Sequence, residues 1–110
     1  MTEQEMLMFA AKAVGIELRF SKEWHDSGLP VFGPLTQPVR WNPLADDGEA
    51  LRLAVKLRLT IKVADHEIEV FDEWGTCLVS IGMLSSEDYV ASTRFAIVKA
   101  VAEIGKEPDK

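Results

Sequence analysis

The sequence predicts an α+β fold, a small, four-stranded, mainly antiparallel sheet packed with three helices in the order α-β-α-β-β-β-α. Apolar residues recur at helical spacing near the start of the chain, after residue 46 and before residue 105. Between the last two of these segments, short stretches alternate apolar and polar side chains, as half-buried strands do. The turns joining those stretches are short, and only antiparallel neighbours can be linked that way, because parallel strands need long crossovers. The 110 residues are 47% hydrophobic and 27% charged, which supports one modest core, so residues 1–105 are expected to form a single α+β domain.

The first helix is expected to start at Thr2, with Glu5 three positions on, the spacing of a capping box. Met6, Phe9, Ala10 and Ala13 mark one face, and Gly15 suits the left-handed residue that ends a helix. Ile16 to Phe20 alternates strictly and reads as the first strand. From Ser21 to Ala45 the pattern dissolves. Pro30, Pro34, Pro38 and Pro43, with Gly28 and Gly33, argue against regular helix or sheet. Leu29, Val31, Phe32, Leu35, Val39 and Trp41 are more apolar side chains than a disordered linker needs. Residues 21–45 therefore read as an ordered, proline-rich loop over the core and as the first place to look for a binding surface.

The stretch WNPLADDGEALRLAVKL, Trp41 to Leu57, is the most organised in the chain. Pro43 keeps the residue before it extended. Asp46 is placed to cap the second helix, and Glu49, three residues on, can reach back to the Asp46 N–H. Asp46, Asp47 and Glu49 also complement the positive end of the helix dipole. Trp41 and Pro43 read as loop anchors, with the Trp41 ring as a lid on the core. Leu51, Ala54, Val55 and Leu57 continue the helical face. A magnesium site on the three acids would compete with capping, and the oxygen-ligand spacing of an EF-hand is absent. No metal and no cofactor is expected.

Strands are then expected at Thr60–Val63, Glu67–Phe71 and Cys77–Ile81, joined by turns at Asp65-His66 and Trp74-Gly75 into a meander. Glu17, Arg19, Lys62, Glu67 and Glu69 fall opposite the apolar positions, so one sheet face reads as wet. Cys77, the sole cysteine, reads as a buried small hydrophobe, and no disulfide can form within the chain. Ser85 or Ser86 is expected to cap the last helix, with a stripe of Val90, Ile97, Val101 and Ile104 and a stop at Gly105. The charged tail 106–110 should fray.

Net charge is −6, from 18 acidic and 12 basic residues, and the bases are scattered among acids. General nucleic-acid binding needs clustered Lys and Arg and is disfavoured; a basic protein surface suits the charge better. No apolar run approaches the ~20 residues that cross a bilayer. The N-terminal stretch lacks the marks of a secretory signal, so a cytoplasmic address is expected. His25 beside Asp26, and His66 between Asp65 and Glu67, sit in turn or loop segments, and no known catalytic motif is present. Trp24, His25 and Trp74, at element ends, form the candidate protein-contact surface, since tryptophan is enriched where interfaces concentrate their energy.

The Trp41–Leu57 stretch, together with STRFAIVKAVAEIG from Ser92 to Gly105, resembles a family of small phage and prophage proteins, the phage α–β–α sandwich domain family. Its motif is a WNPL-acidic-DG-x-A-L-R-L-A-V-K-L run followed by a TRxAIVxAxAEIG helix. Glu49 stands where the family often has Asp. The resemblance implies a sandwich fold, a phage or prophage origin and a bacterial host cytoplasm, and it implies no reaction. The leading expectation is a non-enzymatic protein-binding module, with modulation of a host factor or defence system as an analogy. A self-associating module, joined at a sheet edge or helix face, is the second reading. A hydrolase or metal-dependent enzyme using His25 and loop carboxylates is the third.

Overall fold

The computed structural model describes residues 2–21, 29–33, 39–82 and 88–106. Trp24, His25, Ser85 and Ser86, and residues 107–110 of the expected tail, lie outside them. Among the described residues three helices and two three-stranded antiparallel sheets form an α+β fold: α1 (Glu3–Ala13), β1 (Arg19–Ser21), β2 (Leu29–Phe32), β3 (Val39–Arg40), α2 (Asp47–Lys56), β4 (Thr60–Ala64), β5 (Glu67–Phe71), β6 (Cys77–Gly82) and α3 (Tyr89–Lys106).

Both of the first two helices start and stop as their sequences dictate. The Thr2 hydroxyl accepts from the Glu5 N–H, and the Glu5 carboxylate accepts from the Thr2 N–H, a reciprocal capping box. At the other end Gly15 takes a φ of 77°, its N–H donates to Lys12 and the Ile16 N–H donates to Ala11. That pair of bonds satisfies carbonyls that the helix end would leave open. α2 ends in the same pattern, but Arg58, with a φ of 54°, holds the left-handed position. An ordinary side chain there is strained, by about 1 kcal/mol or more.

The expected four-stranded sheet does not form. β1 pairs with β2 and β2 with β3, while β4, β5 and β6 make a separate meander. Two strands thus arise inside the segment that its prolines marked as loop. Pro30 explains how the sheet tolerates them: its carbonyl accepts from the Trp41 N–H at 2.9 Å, but it has no N–H to return. Among the described residues the β2–β3 ladder comprises two pairs, Val31 with Arg40 and Phe32 with Val39. The meander has the expected turns, and its register sets Ile61, Val63, Ile68, Val70, Val79 and Ile81 on one face. The opposite face carries exposed Lys62, Glu67 and Ser80 and half-buried Glu69. Among the described residues, helices cover only the apolar face, so helices on both sides of a sheet, as the resemblance implies, are not found there.

α3 is the central beam. Ile97, Val98, Val101 and Ala102 belong to the core shared with α1, α2 and Trp41, whereas Ala96 and Ala100 pack against Ile68, Val70 and Val79 of the meander. A helix covered on two sides is apolar around most of its girth rather than along one stripe. That is why the expected stripe is only half right: Val90 is exposed and Ile104 half-buried. Gly105 is not a stop but lies within α3. A Cβ there would collide with the Phe9 carbonyl oxygen, so Gly105 lets α1 and α3 touch backbone to backbone. Asp88 caps α3, its carboxylate accepting from the Val90 and Ala91 N–H groups, in place of the expected serines.

Candidate functional site

The WNPL segment is built as a turn that seats α2. The Trp41 ring is 2% exposed and packs in the main core, and Pro43 is fully buried. The Asn42 side chain accepts from the Leu44 N–H, while its carbonyl accepts from the Ala45 and Asp46 N–H groups. The Asp46 carboxylate then accepts from the Glu49 N–H at 2.9 Å and caps α2 as expected. The reach-back by Glu49 does not occur. With the Asp46 N–H already given to Asn42, the Glu49 carboxylate turns to Arg52, 2.8 Å away.

Asp47 has a third, different partner. The Arg94 guanidinium donates through Nη1 to the Asp47 carboxylate at 2.6 Å and through Nε to the Leu44 carbonyl at 2.9 Å. Arg94 is thereby the clasp between the two segments that carry the family resemblance: one end of α3 is fastened to the turn that opens α2. The fork geometry of a guanidinium makes two divergent bonds that a lysine could not make together. Sequence reasoning gave Arg94 no role, and its only signal was its place in the second motif. The three acids of the opening stretch therefore point at three separate partners. Among the described residues, no three His, Cys, Asp or Glu side chains are grouped to hold a metal ion.

Of the expected contact residues, Trp74 is the one the structure describes. Its indole is 81% exposed at the tip of the β5–β6 turn. The backbone beneath it is fixed: the Asp72 carboxylate accepts from the Trp74 and Thr76 N–H groups, both at 2.9 Å, and the Asp72 N–H donates to the Thr76 carbonyl. Gly75, with a φ of 86°, supplies the left-handed step. Cys77 beside this turn is exposed, contrary to expectation. A register irregularity at Val70/Phe71 pairs Phe71 with Cys77 and breaks the alternation that would have turned the thiol inward. His66 is an exposed turn residue with a φ of 68°, its N–H donating to the Tyr89 hydroxyl.

A second surface was not singled out by the sequence. An apolar groove of about 460 Å³ runs between α2, β4 and α3. Its floor is Ile61 and Val63, and its walls include Leu51 on α2 and Tyr89 and Val90 on α3. Leu51, Val63 and Val90 are all more than half exposed, as is Val55, one turn beyond Leu51. Helical spacing alone assigned Leu51 and Val55 to the buried face. The buried face of α2 is instead Ala50, Leu53 and Ala54. No helix among the described residues is long and apolar enough to cross a membrane. Among family models, curated proteins and solved structures, no match to this chain was found.

Proposed function

We propose that this chain is a small phage or prophage accessory protein, working in the cytoplasm of a bacterial host, that acts by holding another protein and not by catalysis. Trp74 is its anchor. The observation that carries this reading is the combination at the β5–β6 turn: a large ring in water on a backbone held by the Asp72 carboxylate. An exposed tryptophan on a fixed backbone has only two side-chain torsions to lose on binding and buries a large apolar area, the pattern of an interface hot spot. The net charge of −6 favours a basic partner surface and a complex that salt weakens.

Family membership, and with it the phage origin, rests on the two sequence motifs alone, the segments that Arg94 fastens together in the fold. Modulation of a host factor or defence system belongs to the same reading by analogy. A general base is disfavoured because His66 sits exposed on a hairpin turn, and the acids at the start of α2 are spent on capping and ion pairs. Self-association, the second reading, is favoured by a different surface, the open edge of β4.

The test is affinity capture from bacterial lysate with the wild-type chain and Trp74→Ala. The expected result is a basic protein retained by the wild type, released by salt, and bound about tenfold or more weakly by the variant at unchanged melting temperature. Retention indifferent to Trp74, or no retained protein, defeats the reading.

A further inference from the structure

We propose that β4 is a dimer seam: β4 of one chain pairs antiparallel with β4 of a second copy, centred on Ile61, joining the two meanders into one continuous sheet. This does not depend on the role of Trp74.

The argument begins at the β4–β5 hairpin. Ala64 pairs with Glu67 across the two-residue turn Asp65-His66, so these two residues must exchange both of their backbone bonds. Bonding then alternates along the strand. Lys62 and Thr60 direct their N–H and C=O groups at Glu69 and Phe71, and Ile61 and Val63 direct theirs away from β5. β4 is a terminal strand of its sheet. A row of outward amides and carbonyls is a template for another extended chain. A helix laid in the groove could not satisfy it.

The side chains beside that edge call for the same occupant. Leu51 and Val55, at i and i+4 on α2, are 61% and 68% exposed, and Val63 of β4 is 52% exposed. A two-fold axis normal to the sheet keeps the helices of both copies on one face of the joined sheet. Leu51, which lines the groove beside Val63, then lies on the same side of the sheet as the second copy's Leu51. Apolar surface of this kind on a strand edge is otherwise an aggregation hazard, which a closed two-fold pairing removes.

The register follows from parity and charge. Outward-bonding residues must face outward-bonding residues, so the axis passes through a residue of β4. A centre on Val63 would need the turn residue Asp65 to pair with Ile61, and one on Thr60 would set Lys62 against the left-handed Arg58, which leaves Lys62 or Ile61. Centring on Lys62 sets that ammonium directly against its own copy, an unfavourable like-charge pair. Centring on Ile61 sets Lys62 against Thr60 of the second copy and Val63 against Leu59. The Leu59 N–H is already donated to Ala54, and the alternation of β4, continued one residue back, directs its carbonyl to accept from Val63 of the second copy. Among the described residues the one acid lining the groove, Asp47, is paired with Arg94; Arg58 and Lys62 are cations near the seam, and Lys62 also lies 3.8 Å from Glu69. β4 itself, Thr60 to Ala64, carries one cation and no acid, so pairing two copies along this strand sets no carboxylate against its own copy.

Sedimentation equilibrium of the whole chain at micromolar concentration should give twice the 12.3 kDa mass of one copy. Val63→Pro deletes an N–H that β5 does not use and leaves two seam bonds unmade, one per copy, so the dissociation constant should rise about tenfold or more. Leu51→Glu changes a side chain that is already exposed, keeps the fold and should weaken the dimer comparably. In a Cys77→Ser background, Ile61→Cys should cross-link to itself on oxidation, because directly bonded antiparallel partners have Cα atoms about 5.5 Å apart, within disulfide range. A chain that stays monomeric overturns the proposal. So does a dimer that survives both Val63→Pro and Leu51→Glu, or one in which Ile61→Cys fails to cross-link.

Discussion

Asp46, Asp47 and Glu49 in the first turn of α2 each engage a partner inside the chain, a backbone amide, Arg94 and Arg52 respectively. Leu51 and Val55, on the next two turns of the same helix, stand mostly in water. The residues that look most chemical are thus the most committed to structure, and the most ordinary ones are left over. A carboxylate that caps a helix or holds a guanidinium can be redirected to a ligand only at the expense of the fold. An exposed leucine or valine has the opposite economy, since burying it against a partner gains about 1.5 kcal/mol or more. The contrast places structural work at the helix start and leaves the helix flank, Leu51 and Val55, exposed for the proposed seam.

The sharpest way to break the committed side of that contrast is at the α1–α3 contact. Gly105→Ala would improve intrinsic helix propensity in α3, yet its methyl would meet the Phe9 carbonyl oxygen and backbone carbon. Backbone cannot rotate aside as a side chain can, so the two helices must separate and loosen the core around Met6, Ala10 and Val101. Urea unfolding should show a loss of about 3 kcal/mol or more. A neutral result would mean that the helices do not approach each other at Gly105.

The clasp comes next. Arg94→Ala leaves the Leu44 carbonyl and the Asp47 carboxylate without their partner and should cost about 1–3 kcal/mol by urea unfolding. Arg94→Lys should recover only part of it, because one ammonium cannot replace two divergent N–H donors. Leu51→Glu, measured at a dilution where the chain is monomeric, should stay within about 0.5 kcal/mol of the wild type. If Leu51→Glu proved the more damaging of the two, the division of α2 into a structural start and a free flank would be wrong.

How much of this could be read from the chain alone follows from where the deciding forces act. The capping box at Thr2 and Glu5, the Asp46 cap and the β4–β6 meander are local, set by residues a few positions apart, and they appear where they were expected. The misses share a non-local cause. Pro30 and its neighbours form strands because β1 and Trp41 lie beside them, which no local pattern encodes. Gly105 looks like a helix stop until Phe9 is seen against it. Leu51 and Val55 have the spacing of a buried face, but α3 meets α2 through Ala50, Leu53 and Ala54, one step around the helix. For the candidate surfaces, Trp74 was legible as a turn residue of unusual size, whereas the groove is a property of three elements together.

The smallest expected effect tests whether the commitment of polar groups extends to the surface. Glu5 is fully exposed, yet the Thr2 backbone N–H, and then the Thr2 hydroxyl contact, hold its carboxyl below its ordinary value of 4.5. The sign is fixed by linkage. A carboxyl whose folded value lies below its unfolded one stabilises the fold when ionised, and that contribution fades as pH falls through the folded value. The melting temperature of wild type should therefore exceed that of Glu5→Ala by a constant margin near neutral pH, and the margin should shrink once the pH drops below about 4.5. Glu5→Gln separates charge from hydrogen bonding, because its amide oxygen can accept from the Thr2 N–H without titrating. Its margin over Glu5→Ala should be smaller and level across the acid range. A wild-type margin that grew on acidification would show that the carboxylate is a liability at the start of α1 and that the cap works through the Thr2 hydroxyl alone.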